Sequence, residues 1–67
     1  MKQQDIEAGK EYVHLADSKL RIKLLRVYGE GSLKSWDIRV ISQREDSNFP
    51  EKTFLLESTL IAFFEPV

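Results

Sequence analysis

The sequence predicts a mainly β domain: a small, strongly bent antiparallel sheet rolled into a five-stranded barrel, with a short helical turn near the C-terminus. Three observations predict it. Leu20–Ser42 holds two runs of alternating apolar and polar residues joined around Gly29-Glu30-Gly31, the pattern of a long hairpin. The alternation slips at Leu24-Leu25, which fits a bulge or sharp bend of the kind a small barrel needs at its corners. Several further short strand-like runs and at most one helical turn share the 67 residues. The competing architecture is an α+β domain, a three- or four-stranded sheet covered on one face by a C-terminal helix.

Taken in order, Ile6–Tyr12 reads as an extended lead-in with a turn at Gly9-Lys10, and Tyr12–Leu15 as a short strand of strand-favouring residues. Asp17 and Ser18 in Ala16–Lys19 suit a polar turn, because their side chains bond nearby backbone amides. In the first hairpin strand Leu20, Ile22 and Leu24 share one face and Arg21 and Lys23 the other. Leu25 and Val27 then continue the apolar pattern on the charged side, by a bend or because both faces are covered there. The two glycines of Tyr28–Ser32 supply the positive φ of a hairpin loop. On the return strand Trp36, Ile38 and Val40 face one way and Ser35, Asp37, Arg39 and Ile41 the other. Gln43–Glu51 is a polar loop in which Pro50 holds Phe49 extended, its ring placed to fold over an open barrel end. Lys52–Leu56 is a further strand, with Phe54 and Leu56 pointing the same way. In Glu57–Val67 Ser58 suits a helix cap, Leu60, Phe63 and Phe64 fall on one helical stripe, and Pro66 is a helix stop. One helical turn followed by a strand through Ala62–Phe64 fits equally well.

This is one small domain, residues 1–67, with a limited core and modest stability. With no cysteine and one histidine, disulfides and the usual structural zinc sets are excluded, and no cofactor is expected. Lack of cysteine suits a reducing compartment. The N-terminal stretch has no apolar core of a secretory signal, and the longest apolar run is too short to span a bilayer, so a cytoplasmic protein without a membrane is expected. The net charge of −1 hides a sharp division. Residues 1–18 carry −2, residues 19–44 carry +5 and residues 45–67 carry −4. A basic hairpin lies between acidic flanks that neutralise it if they fold onto it.

Catalytic patterns are lacking. Gly29-Glu30-Gly31 sits at a hairpin tip and opens no helix, so it is not a phosphate loop. His14 has no spacing that selects a nucleophile or acid, and Glu45-Asp46 reads as a solvated loop rather than a carboxylate pair. The chain is not expected to be an enzyme. Arg21, Lys23 and Arg39, extended by Arg26 and Lys34, are the candidate nucleic-acid contacts, with Tyr28 the stacking aromatic. Tyr12, Tyr28, Trp36 and Phe49 are the material for a ligand groove, and the same residues are needed for burial. Leu25, Val27, Ile41, Ile61 and Phe64 are the candidate protein interface, apolar residues in excess of what a small core requires.

The order Ile6…Gly9-Lys10-Glu11-Tyr12, Leu20–Leu25, Trp36–Val40 and Leu60…Phe63-Phe64 resembles small bacterial and phage SH3-like barrels, many of them domains of unknown function. The resemblance implies an SH3-like fold and a setting such as an accessory protein of a mobile element. It carries over no binding residue. The expected function is a non-enzymatic accessory or adaptor module that binds a protein partner or its own copy, as a homodimer. The alternative is a small barrel that binds nucleic acid through the basic face of the hairpin.

Overall fold

In the computed structural model, which describes residues 1–67, five antiparallel strands form one sheet: β1 (Glu11–His14), β2 (Arg21–Tyr28), β3 (Ser35–Ser42), β4 (Lys52–Leu56) and β5 (Phe64–Pro66). A single helix, α1 (Glu57–Phe63), runs from the end of β4 directly into β5. The spatial order is β4-β3-β2-β1-β5, so β4 and β5 are the two edges and no backbone ladder joins them. The chain is thus mainly β with one short helix. The three- or four-stranded α+β alternative is not what forms.

The alternation in the hairpin builds the core. Leu20, Ile22 and Leu24 of the first run and Trp36, Ile38 and Val40 of β3 are all buried, joined by Tyr12, Leu60 and Phe64. The phase slip is a bulge. Leu24 pairs with Ile38 and Arg26 with Asp37, which leaves Leu25 as the extra residue on β2. A second bulge lies at the other end, where Ile22 pairs with Val40 and Arg21 with Ser42, leaving Ile41 unpaired on β3. The two bulges bend the longest strands so that α1 closes over the inner face.

At the hairpin tip Gly29 takes φ 75°, and a Cβ there would lie 2.8 Å from the Leu33 carbonyl oxygen. Only glycine fits that close return of the backbone. The loop extends further than the turn expected at Tyr28–Ser32, through a 3-10 turn at Gly31–Leu33.

The lead-in is fastened by Tyr12. Its hydroxyl donates to the Asp5 carbonyl (2.6 Å) and accepts from the Glu7 amide (2.9 Å), so the ring is buried without an unpaired polar atom. At the neighbouring turn the Glu7 carboxylate lies 2.9 Å from the exposed Lys10 ammonium and raises its pKa above the ordinary value. The helix begins with Leu56, not Ser58, at its N-cap, and Pro66 does not end it. Pro66 is a residue of β5 instead, at an edge where its missing N–H breaks no ladder bond.

Candidate interaction site

The outer face of the sheet carries the residues singled out by charge. Cross-strand register sets Glu11, Lys23, Arg39 and Lys52 in one row, the last three of them cations side by side. Lys52 was not legible as part of this group, because it lies in the acidic C-terminal third of the chain. Arg21 stands one row away, opposite Val13 and Ser42.

Neutralisation is partial. Glu51 pairs with Arg39 at 3.1 Å and Asp17 with Arg44 at 3.4 Å, whereas Arg21 and Lys23 form no ion pair. Lys34 is drawn away from the row to Glu57 at 3.6 Å. Arg26 stacks on the Tyr28 ring, 4.7 Å from its centroid, and the Tyr28 hydroxyl donates to Asp37 at 2.7 Å. One face of the stacking aromatic is therefore already occupied.

Glu57, which sequence pattern did not single out, organises the junction of β4 and α1. Its buried carboxylate accepts from Trp36 Nε1 (3.0 Å) and Gln3 Nε2 (3.2 Å) and pairs with Lys34. The network joins the N-terminal lead-in, β3 and the helix start through one side chain. An acid after a strand carries no local signal for such a role.

The five residues expected at a protein interface do not form one surface. Phe64 is 4 % exposed and belongs to the core, where its ring meets the edge of His14 at 5.0 Å. It is not available for an interface. Ile61 is half-buried, its carbonyl accepting from the N-terminal ammonium at 3.2 Å. Val27 pairs with Trp36, and Ile41 is the bulge residue beside Phe49. Leu25 lies on the outer face with Phe54, in a shallow hollow also lined by Asp37, Ile38, Lys52 and Thr53. Leu56 follows Phe54 on the same face of β4.

This outer patch is apolar and open: Leu25 is 40 %, Phe54 66 % and Leu56 40 % exposed. The alternation in Lys52–Leu56 puts Phe54 and Leu56 on a common face but does not say which face. Thr53 and Leu55 are the inward pair, and they line a cavity of about 200 Å³ between the inner face and α1. Phe49 and Phe63 line it too, each about half exposed. Tyr12 and Trp36, expected as groove material, are core residues.

The two sheet edges differ in their backbone. Val40 N–H donates to the Glu51 carbonyl (2.7 Å) and Glu57 N–H to the Lys34 carbonyl (2.8 Å). Antiparallel pairs alternate between bonded and unbonded, so Lys52, Phe54 and Leu56 turn their N–H and C=O groups away from β3, toward the free edge. At β5, Leu15 N–H donates to the Phe63 carbonyl (2.8 Å) and Val67 N–H to the Glu11 carbonyl (3.2 Å). The same alternation leaves Phe64 and Pro66 facing outward. Phe64 N–H is already bonded to the Leu60 carbonyl as the helix C-cap, and Pro66 has no N–H. The β5 edge offers no donor. The β4 edge offers donors and acceptors at every second residue.

Elsewhere the polar groups are locally satisfied. His14 accepts the Ala16 amide on Nδ1 (3.1 Å) and stacks parallel to Phe63 at 6.1 Å. Glu45 and Asp46 stand exposed in their loop. No helix is long and apolar enough to cross a membrane. Compared with protein-family models, curated proteins and solved structures, the chain has no match.

Proposed function

We propose that this is a non-enzymatic binding module of the cytoplasm that works by contact with another polypeptide, using the free edge of β4 and the adjoining Leu25/Phe54/Leu56 patch. The observation that carries the reading is the coincidence of unpaired backbone groups and exposed apolar side chains on one strand. An extended segment added beside β4 gains main-chain hydrogen bonds from the edge and buries side chains against the patch. The bent five-stranded sheet with one short helix before its last strand supports an SH3-like fold, open between β4 and β5. A bacterial or phage accessory protein is the setting this reading favours.

A photo-reactive residue at Phe54 tests it in growing cells. A discrete polypeptide adduct is expected there and none from Leu33, which is still more exposed, at the hairpin tip. No adduct at Phe54, or the same adducts from both positions, overturns the reading.

The row Lys23-Arg39-Lys52 favours a second reading, contact with a nucleic-acid backbone. Each phosphate contact adds about one unit to the salt dependence of binding. Replacing Lys23, Arg39 and Lys52 together by alanine is expected to flatten that slope by about two to three units. An unchanged slope, or no binding to an oligonucleotide at low salt, removes this reading.

A further inference from the structure

We infer that the polypeptide seated on β4 is a second copy of this chain, paired antiparallel to it about a two-fold axis at Phe54. The inference rests on the binding role proposed for β4 and names its partner. Only Lys52, Phe54 and Leu56 present backbone groups to the edge, and these positions are symmetric about Phe54. With Phe54 facing its own copy across the axis, Lys52 faces Leu56 of the second copy, and each outward N–H meets an outward C=O. Directly opposed residues share a face, so the two Phe54 rings meet on the outer side, flanked by Leu25 of each copy. On the inner side Thr53 falls opposite Leu55 of the second copy, two residues that line the apolar cavity of each chain.

The donor-less β5 edge decides how copies combine. A β4-to-β5 contact would repeat head to tail, as a ring or a filament, and β5 has no N–H to support it. The contact of β4 with β4 uses both open edges and closes. It leaves a ten-stranded sheet whose two ends are both the blunted β5. A net charge of −1 per chain opposes the pairing only weakly.

The test is sedimentation equilibrium of the full chain across a concentration series, with Trp36 fluorescence and far-ultraviolet circular dichroism confirming that each variant is folded. The native chain is expected to approach twice the chain mass at concentrations up to about 100 µM. Phe54→Pro removes an N–H that points away from β3, so it spares the fold and deletes the central bonds of the pairing. Leu56→Lys sets a second ammonium opposite Lys52 of the other copy. Each is expected to weaken dimerisation at least about tenfold, with Leu33→Lys unchanged. A single-chain mass for the native protein throughout overturns the inference, as does a dimer that both β4 variants leave intact. If that single-chain protein still gives a Phe54 adduct with another polypeptide in cells, β4 remains a binding edge and only the identity of its partner is wrong.

Discussion

The two edges of this sheet are made from similar material and end in opposite states. Each has a phenylalanine whose backbone groups point away from the neighbouring strand, Phe54 on β4 and Phe64 on β5, and each is joined to the same helix. On β5 the phenylalanine is turned into the core, its amide caps α1, and proline follows two residues later. On β4 the phenylalanine stands in solvent, its amide is free, and neither proline nor bulge interrupts the strand. Proline and covered amides are the usual ways of keeping a sheet edge from pairing. Their presence on one edge and absence from the other gives the molecule a single direction in which to extend.

The stability side of that contrast is the largest effect. Phe64→Ala empties a core position and is expected to lower unfolding free energy by about 3–5 kcal/mol, enough to unfold much of so small a domain. Phe54→Ala at the open edge should stay within about 0.5 kcal/mol in dilute solution. Urea titrations of the two variants, read by Trp36 fluorescence, compare them directly. Equal losses would mean that β4 and β5 are not differently anchored.

Glu57 fixes the end of β4 against β3. Glu57→Ala strands the Trp36 indole N–H and leaves half-buried Lys34 without a partner, with an expected loss of about 1–3 kcal/mol. Amide exchange in this variant should rise first at Leu55 and at position 57, whose amides point toward β3 at the junction, before it rises in β1. A uniform rise would show that the network holds the whole sheet instead of this one edge.

Pro66→Val is the smallest change and the sharpest. It returns one N–H to the outward side of β5 and is expected to shift thermal stability by under about 1 kcal/mol. Species larger than a dimer should then appear in concentrated solution by light scattering. If none appear, Pro66 is not what blunts the edge.

Much of this was legible in the sequence, and the rest was hidden for identifiable reasons. The hairpin core was readable because Leu20/Ile22/Leu24 and Trp36/Ile38/Val40 alternate with charges, and the break in that rhythm at Leu25 marked the bulge. The second bulge at Ile41 leaves no such break, since Ile41 continues the outward side of its own strand. Nor does β4 declare its faces: Phe54 and Leu56 alternate with Thr53 and Leu55, and either pair could have been the buried one. The loop before β4 hides its register with β3, so Lys52 joining Lys23 and Arg39 is a product of topology. Pro66 was readable as a stop but not as an edge guard, because that role exists only once β5 has found β1.

Amide hydrogen exchange of the native chain in dilute and concentrated solution tests the central claim most directly. The account predicts that Lys52, Phe54 and Leu56 exchange quickly when dilute and slow by about tenfold once about nine chains in ten are paired, while Phe64 is protected at both concentrations. Rates at Lys52, Phe54 and Leu56 that ignore concentration, or that already match those of Thr53 and Leu55 in dilute solution, would contradict it.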